Sequence, residues 1–332
     1  MDRAPLTQDC APSLSIVVPV YNEEQSLEPL FDRLMDTLKT LPNPAEVIFI
    51  NDGSRDASLA VLRRLAGEHP LVKIIDFRRN HGQTAALMAG IDYATNDLIV
   101  MIDADLQNDP ADIPRLLAKL EEGYDVVSGW RRDRKDAAIR RNWISRIANR
   151  LISRISGVEL NDYGCTLKIY RSDVVKGIRL YGEMHRFIPI YASWQGGRIT
   201  QIPVAHNPRK FGKSNYGLER IAKVVLDLIV VMFLDRYFVK PIYVFGGFGI
   251  LSTLASLATI IFALLLRVFA HISLILTPLP LLAALLFLVG SISILLGLLA
   301  EMLVRTYYEA SGGRAYAVRE LINFTDKQTV KS

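Results

Sequence analysis

The first half of the chain alternates short apolar segments with clusters of polar residues. The apolar segments are Leu14–Val20, Glu46–Ile50, Val72–Phe77, Leu98–Ile102 and Asp125–Gly129. Each is short and contains Val or Ile, which is typical of a strand buried in a sheet. The pattern therefore predicts five strands before residue 130.

Helical patterns separate these strands. Ser26 is predicted to be the N-cap of a helix that runs to about Leu41, and Gly82–Ala94 is predicted to be a second, Ala-rich helix. Strands that alternate with helices at this spacing form a mostly parallel sheet covered on both faces. The fold class indicated by the pattern is therefore α/β.

A polar cluster follows four of the predicted strands. The clusters are Tyr21–Glu24, Asn51–Ser54, Arg78–Gln83 and Asp103–Gln107. Open parallel sheets bind ligands beside the carboxyl ends of their strands. We expect the four clusters to line one crevice.

The cluster after the fourth strand contains candidate metal ligands. Asp103, Asp105 and Gln107 are spaced two residues apart, so in an extended chain they would share a face. Mg²⁺ and Mn²⁺ prefer oxygen ligands, and Mg²⁺ often uses only one or two protein carboxylates. Two aspartates in a turn are more often solvated loop residues, so this motif needs support from the rest of the chain.

The next part of the chain continues the α/β pattern but contains two basic segments. A strand is predicted at Thr166–Tyr170, a helix near Met184–Trp194 and a strand at Arg198–Ala205. The first basic segment, Trp130–Arg154, is rich in arginine, and the loop Asn207–Asn215 is basic and contains a glycine suited to binding a phosphate. Nucleic acid, an anionic lipid headgroup, or solvent alone could face the first segment.

Two uncharged stretches near the C-terminus favour the lipid over nucleic acid. Pro241–Leu266 and Ile272–Ala300 contain no charged residue, and each is long enough to cross a hydrocarbon layer of about 30 Å. The preceding segment, Tyr216–Leu234, has an amphipathic helical pattern typical of a membrane interface. We therefore expect contact with a lipid bilayer and none with nucleic acid.

Charges flanking the two stretches predict the orientation of the chain. Arg236 and Lys240 precede the first stretch, and Arg305, Arg314 and Arg319 follow the second, whereas the connecting loop has only Arg267 and His271. The positive-inside rule then places both termini in the cytoplasm, with the protein in the cell (inner) membrane. The N-terminus has no apolar region typical of a signal peptide, and two cysteines in 332 residues do not make a disulfide framework.

These motifs, in this order, resemble one family. They are Ile16–Glu24, Asn51–Ser54, Arg79–Gln83, Asp103–Gln107, Asp162–Cys165, Phe211–Ser214 and the C-terminal Glu301, Arg305, Tyr308 and Arg314–Tyr316. The chain is similar to family-2 inverting glycosyltransferases of GT-A fold, in the branch of the polyprenyl-phosphate sugar synthases. The resemblance implies a catalytic domain at 1–215, an amphipathic juxtamembrane segment at 216–240, two transmembrane helices within 241–300 and a cytoplasmic tail at 301–332.

The resemblance also implies roles for individual residues. Pro19, Tyr21 and Glu23 would contact the nucleoside, Asp52 the base, and Asp103 the ribose and diphosphate, while Asp105 and Gln107 would hold Mg²⁺ or Mn²⁺. Arg131, Arg140, Arg141, Arg146, Arg209, Lys213 and Ser214 would bind phosphates, those after Arg131 the lipid phosphate. Asp162 matches the proposed base, although it could instead orient the acceptor or bind an arginine. Many members have Asp-Asp where this chain has Asn51-Asp52, and Ser-Lys where it has Ser214-Asn215.

The implied reaction is transfer of a sugar from a nucleotide-sugar, a UDP-sugar rather than GDP-mannose, to a polyprenyl phosphate. Two alternatives stay open: a processive polysaccharide synthase and a non-catalytic membrane scaffold. The first usually has a Q-x-x-R-W motif and more spans, and the second has no need of Asp103, Asp105 and Gln107 together. A homo-oligomer is compatible with all three.

Overall fold

The computed structural model describes residues 11–132, 152–154, 156–178, 180, 184–208, 242–274, 277–310 and 316–324. The chain divides into two compact units. The first contains Met1–Leu228 together with Arg314–Ser332, and the second contains Ile229–Gly313. The chain therefore leaves the first unit once and returns to it at the C-terminus.

The first unit is built on one sheet of eight strands. They are β1 Leu14–Val20, β2 Ala45–Asn51, β3 Val72–Phe77, β4 Leu98–Met101, β5 Val126–Trp130, β6 Lys168–Arg171, β7 Ile199–Pro203 and β8 Val318–Ile322. Their order is β7-β5-β6-β4-β1-β2-β3-β8. β6 is antiparallel to β4 and β5, and β8 is antiparallel to β3, while the other pairs are parallel. The prediction of a mostly parallel α/β sheet is confirmed.

The helices of this unit connect the strands. They are α1 Leu27–Lys39, α2 Ser58–Glu68, α3 Gln83–Tyr93, α4 Ile113–Glu121, the short α5 Ser172–Val175 and α6 Ile188–Trp194, with 3₁₀ turns at Pro110–Asp112 and Met184–Phe187. Ser26 precedes α1 as predicted, but its hydroxyl makes no capping hydrogen bond. It donates instead to the backbone oxygen and the carboxylate of Glu23, because Ser26 itself has a helical backbone.

The core lies between the sheet and the helices. Ile16 and Val18 of β1 are fully buried in the same apolar cluster as Leu30 and Leu34 of α1. Burying side chains of this size stabilises a fold by roughly 1.5–3 kcal/mol each. The register of β1 against β2 pairs Val20 with Asn51, so the polar clusters that follow the two strands begin side by side.

The strand β8 was not predicted. It comes from residues that follow the second apolar stretch, and it pairs with the free edge of β3, with Ile322 opposite Ile74 and Leu321 opposite Ile75. The C-terminal residues therefore cover an edge of the sheet that would otherwise expose unpaired backbone groups.

The second unit contains two long helices, α7 Ile242–Phe269 and α8 Leu279–Ala310. Within them, Phe245–Phe269 and Leu279–Ala300 are long and apolar enough to cross a membrane. The two helices approach closely at Gly249 and Gly290, where an added Cβ on Gly249 would lie 2.7 Å from the oxygen of Gly290. Small residues permit this close packing of helices in a lipid environment.

Candidate active site

The loops after β1 and β2 are tied together at the carboxyl end of the sheet. The backbone nitrogen of Asp52 donates to the oxygen of Val20 at 2.9 Å, and that of Asn22 donates to Ser54 Oγ at 3.0 Å. Glu23 is fixed in the same way, by a hydrogen bond from its backbone nitrogen to Ser58 Oγ at 2.9 Å. Two of the predicted clusters therefore lie together, with Tyr21 exposed beside them.

Asp52 connects these loops to the loop after β3. Its two carboxylate oxygens accept hydrogen bonds from the backbone nitrogens of His81 at 2.6 Å and Gly82 at 2.9 Å. Burial raises the pKa of Asp52, although both of these hydrogen bonds oppose the shift. Asp52 therefore positions the third cluster, and its contact with a base stays a prediction.

Asp103, in the fourth cluster, is hydrogen-bonded both to the start of α3 and to the loop before β6. One oxygen of its carboxylate accepts from Gln83 Nε2 at 2.8 Å, at the start of α3, and the other accepts from Thr166 Oγ1 at 2.7 Å. Burial, followed by the negative charge of Asp105, raises the pKa of Asp103 to about 6. Two carboxylates thus stand close enough to repel each other in a poorly solvated place.

The chain around Asp105 is a turn and not an extended strand. β4 ends at Met101, and Leu106 has a positive φ of 63°. The turn is closed by a hydrogen bond from the backbone nitrogen of Gln107 to Asp105 Oδ1 at 3.1 Å. Asp103, Asp105 and Gln107 therefore do not lie along one face of an extended strand as predicted, and the two carboxylates interact across a tight turn instead.

The residues present suit a hard divalent cation. Asp103 and Asp105 supply carboxylate oxygens whose repulsion a cation would relieve, and Gln107 adds an amide oxygen. Within the described ranges, no group of three or more His, Cys, Asp and Glu side chains could enclose a metal. Two carboxylates and one amide suit a cation whose remaining ligands would come from substrate and water.

Asp162 and Arg131 form an ion pair between the residue that follows β5 and the loop that precedes β6. Arg131 Nε donates to Asp162 Oδ2 at 2.7 Å, and Arg131 Nη2 donates to Asp162 Oδ1 at 2.9 Å. Both side chains are about nine-tenths buried, and the backbone nitrogen of Gly164 also donates to Asp162 Oδ1. This geometry supports the interpretation that Asp162 binds an arginine.

Lys168 contributes to this side of the site, although no motif in the sequence singled it out. It lies in β6 with 3% exposure, and its ammonium group donates to the backbone oxygens of Tyr163, at 3.2 Å, and Cys165. Burial lowers the pKa of Lys168. The lysine therefore fixes the turn that carries Asp162, and the available signal was a lysine between the apolar residues Leu167 and Ile169.

Arg186 is a second residue that sequence reasoning missed. Its Nη1 lies 3.4 Å, and Arg131 Nη2 lies 3.2 Å, from the point where a Cβ on Gly164 would stand. Two guanidinium groups thus flank Gly164. Arg186 Nε is buried and has no hydrogen-bond partner among the residues that the structure describes. Such a pair of cations suits the binding of a phosphate.

The other predicted phosphate ligands lie outside the described residues. They are Arg140, Arg141, Arg146, Arg209, Lys213 and Ser214. The structure does describe the start of the second basic loop. Asn207 donates its backbone N–H to the backbone oxygen of Gln107 at 2.8 Å, and His206 forms a β-bridge with Asn108. The chain therefore enters that loop beside the candidate metal ligand.

A mostly parallel sheet with acidic and basic side chains at the carboxyl ends of its strands is typical of enzymes that bind nucleotides, and comparison with known proteins gives the family. Residues 15–179 match the model of glycosyl transferase family 2, and a sugar synthase named for its polyprenyl phosphate matches over 93% of the chain. The chain belongs to this family. The prediction of a family-2 glycosyltransferase is confirmed.

Two relatives illustrate the similarity over nearly the whole length. The chain is 43% identical to dodecaprenyl-phosphate galacturonate synthase of Rhizobium johnstonii, over 93% of each protein. It is 38% identical to undecaprenyl-phosphate 4-deoxy-4-formamido-L-arabinose transferase of Shewanella sediminis, over 93% of this chain and 92% of the relative. Both relatives are named as enzymes that act with a polyprenyl phosphate and a sugar.

A solved structure with the same fold is glucosyl-3-phosphoglycerate synthase from Mycobacterium tuberculosis in complex with Mn²⁺ and UDP-glucose. The TM-score is 0.52 at 17% identity, covering 68% of this chain and 79% of that one. At this level of identity the likeness concerns the fold, and it supports the prediction of a GT-A catalytic domain.

Proposed function

We propose that this protein transfers a sugar from a nucleotide-sugar to a polyprenyl phosphate, producing a lipid-linked monosaccharide. The observation that carries the proposal is the hydrogen bond from Thr166 to Asp103, together with the positive charge of Arg131 acting on Asp103. Thr166 lies two residues after Gly164, which the guanidinium groups of Arg131 and Arg186 flank. Carboxylates that suit a cation and arginines that suit phosphates are therefore brought together at one end of the sheet. The names of the two relatives support the acceptor class.

The donor would lie over the ends of β1 and β2. As the family resemblance implies, Pro19, Tyr21 and Glu23 would contact the nucleoside and Asp52 the base. Pro19 lies at the end of β1, and the other three lie in the loops after β1 and β2, which are hydrogen-bonded to each other. Asp103 would face the ribose and diphosphate. We favour a UDP-sugar over GDP-mannose, and the solved relative that contains UDP-glucose has the same fold.

A divalent cation, Mg²⁺ or Mn²⁺, would be held by Asp105 and Gln107. When bound, it would neutralise charge on the leaving nucleoside diphosphate. The turn that contains these residues is held by the hydrogen bond from the backbone nitrogen of Gln107 to Asp105 Oδ1. Thr166 and Gln83 keep the carboxylate of Asp103 directed into the same crevice.

The acceptor would supply its own nucleophile. A phosphate monoester has a second pKa near 6 and is mostly a dianion at neutral pH, so little help from a general base is needed. One of its oxygens would form the bond to the anomeric carbon while the bond from that carbon to the nucleoside diphosphate breaks, with inversion. Arg131 would bind the phosphate, oriented by Asp162, together with Arg140, Arg141, Arg146, Arg209, Lys213 and Ser214.

The two apolar helices would hold the enzyme in the cell membrane. After them the chain returns to the first unit, as expected if two crossings bring it back to the starting side. The positive-inside pattern favours the cytoplasm as that side, with both termini there. The amphipathic segment 216–240 would lie at the interface, and the acceptor phosphate would reach the crevice from the same surface.

The test is direct assay of the purified full-length protein. A panel of UDP- and GDP-sugars is supplied with a short polyprenyl phosphate and Mg²⁺ or Mn²⁺, and lipid-linked product is followed. We expect one or a few UDP-sugars to give product, with no product in the absence of the lipid phosphate. Sugar transfer only to a growing polysaccharide would favour a polysaccharide synthase, and no transfer from any donor would favour a scaffold.

A further inference from the structure

The C-terminal strand lies next to the proposed nucleotide side of the crevice. Glu320 pairs with Asp76 and Val318 with Phe77, at the carboxyl end of β3. The backbone nitrogen of Arg78 then donates to the oxygen of Ala317 at 3.1 Å. The loop that starts at Arg78 is the one that Asp52 holds through His81 and Gly82, so β8 borders that loop.

A shift in register aims one side chain of β8 towards this end of the sheet. Between the pair Glu320–Asp76 and the pair Val318–Phe77, the strand β8 contains one additional residue, Arg319. Additional residues of this kind redirect a side chain, and they are frequent beside functional sites. Here the guanidinium of Arg319 donates from Nε to Asp76 Oδ2 at 2.7 Å.

Asp76 connects Arg319 to β2 through a second hydrogen bond. The carboxylate is fully buried, and its second oxygen accepts a hydrogen bond from Asn51 Nδ2 at 2.7 Å. Because Asn51 uses its amide nitrogen for Asp76, its amide oxygen faces the other way and accepts from the backbone nitrogen of Ser54 at 3.3 Å. The chain Arg319–Asp76–Asn51 therefore ends on the turn that contains Asp52.

That turn has little freedom to move by itself. Gly53 has a φ of +65°, and an added Cβ there would lie 2.6 Å from the carbonyl carbon of Arg79, so the backbones of the two loops touch. Asp52 adds its hydrogen bonds to the next two residues. A displacement of Asn51 would therefore move both loops that face the donor.

A second contact of the C-terminal segment reaches the same loop. The ring of Tyr316 stacks on Phe77 with centroids 5.2 Å apart, and its hydroxyl donates to Asp92 Oδ2 at 2.8 Å. The ring of His81 meets Phe77 edge-on with centroids 5.5 Å apart. Phe77 is thus held between the C-terminal segment and the loop.

We propose that Arg319 is a positioning residue for nucleotide binding, acting through Asp76 and Asn51 on the turn that carries Asp52. The inference rests on the proposed function, because it assumes that a nucleoside diphosphate binds at this turn. In this arrangement the strand that follows the membrane helices is part of the donor site, although it contacts no substrate. Removing Arg319 leaves a buried carboxylate with one partner fewer, which the turn must accommodate.

The same strand provides a matched control. Glu320, the next residue, makes an ion pair with Arg63 of α2 at 2.5 Å, and both side chains are about half exposed. Replacing the side chain of Glu320 removes one ion pair of β8, as replacing Arg319 does, but it leaves the hydrogen bond from Arg319 to Asp76 in place. Exposed pairs of this type contribute little to stability.

The experiment measures the binding of UDP and GDP to the full-length protein in detergent or nanodiscs, by calorimetry, for the wild type and the variants Arg319→Gln, Arg319→Lys and Glu320→Gln. We expect Arg319→Gln to raise the Kd of the preferred nucleotide about three- to thirtyfold, with partial recovery in Arg319→Lys. Glu320→Gln should change that Kd by less than about twofold. The KM for a short polyprenyl phosphate should be the same in all of them.

Several results would overturn the inference. Wild-type nucleotide affinity in Arg319→Gln would do so, as would equal losses in Arg319→Gln and Glu320→Gln, which would indicate a general effect of weakening β8. Should Arg319→Gln not fold, Asn51→Ala breaks the last link with β8 intact, and unchanged affinity there also contradicts the relay. A wild-type protein that binds neither nucleotide would instead refute the proposed donor, and the inference with it.

Discussion

Arg131 and Asp162 bind each other side by side, with hydrogen bonds of 2.7 Å and 2.9 Å between a guanidinium and a carboxylate that are both largely buried. A carboxylate engaged in this way is a poor proton acceptor, because protonation would break the pair. The pair instead holds a cation at a fixed place beside Gly164. This relationship makes the catalytic role of Asp162 testable.

The first prediction concerns the pH dependence of Asp162→Asn. Activity should fall about tenfold to a hundredfold, because Arg131 loses a charge-assisted partner worth about 1.5–3 kcal/mol. The acid limb of the rate should persist, since neither of the groups that titrate near pH 6, the acceptor phosphate and the buried Asp103, is removed. Activity should rise with pH through that value in both proteins. A rate profile that loses its acid limb in the variant would identify Asp162 as the base.

The second prediction concerns the cation. Asp105→Asn keeps an oxygen that can accept from the backbone nitrogen of Gln107, so the turn should survive while transfer falls by at least about a hundredfold. EDTA should abolish wild-type activity, and Mg²⁺ or Mn²⁺ should restore it. The control is Asp109→Asn, four residues on, whose carboxylate accepts from the backbone nitrogen of Ala111 outside the site. Full wild-type activity in EDTA would exclude the metal role.

The third prediction concerns the basic residues. Arg131→Gln and Lys213→Gln should raise the KM for polyprenyl phosphate about tenfold or more, and should change nucleotide affinity much less. Lys39→Gln is the control, because Lys39 is exposed and paired only with Asp36 at 3.1 Å among the described contacts. Equal losses of nucleotide affinity would assign Arg131 and Lys213 to the donor.

The fourth prediction separates the membrane helices from the strand β8. A protein in which a flexible linker replaces residues 229–313 should bind nucleotide and use a short, water-soluble prenyl phosphate, but should use long-chain acceptor in vesicles poorly. Confinement of enzyme and lipid to one surface raises their effective concentration, and the linker removes it. Vesicle activity equal to that of the full-length protein would give the helices another purpose.

A chain that ends near Asn215 makes a useful comparison. It lacks β8 as well as the helices, and therefore loses the pairing with β3 and the contact of Arg319 with Asp76. Its thermal midpoint should lie below that of the linker protein, and its nucleotide affinity should be weaker. Equal stability of the two would show that β8 contributes nothing measurable to the sheet.

The fifth prediction concerns stability at acid pH. Burial favours the neutral form of Glu46, but hydrogen bonds from Lys73, Ser15 and Thr95 outweigh it and lower the pKa of Glu46. A lowered pKa means that the stabilisation is present above the unfolded pKa and is lost as the pH falls through the folded value. Glu46→Gln should therefore destabilise the protein by about 1.5–3 kcal/mol near neutral pH. In urea titrations this difference should shrink below about pH 4, and a constant difference would contradict it.

The central strands could be predicted because each of them is a continuous apolar run. Ile16 and Val18 have no exposed surface, and the run of Val and Ile residues to which they belong is visible in the amino-acid sequence itself. The strand β8 could not be predicted, because Val318–Ile322 is only five residues long and is interrupted by the charged Arg319 and Glu320, and it becomes a strand by pairing with the free edge of β3. Tertiary context of this type cannot be recognised from local pattern.

The positions of several site residues could be predicted from the sequence, but the geometry that brings them together could not. Asp103 and Asp105 were selected from their place after a strand, whereas the turn that joins them depends on the positive φ of Leu106, for which Leu gives no signal. Lys168 was missed because it binds backbone oxygens, which every residue has and which therefore leave no sequence signal. Arg186 was missed because Gly164, beside which it lies, is distant in sequence.

The central claim is that the sugar itself, without the donor's phosphate, passes to the lipid phosphate. The most direct measurement identifies both products of one reaction, by mass spectrometry of the lipid and chromatography of the nucleotide. We predict a lipid with one sugar and one phosphate, a released nucleoside diphosphate in equal amount, and an inverted anomeric configuration. A lipid diphosphate with release of a nucleoside monophosphate would contradict this account.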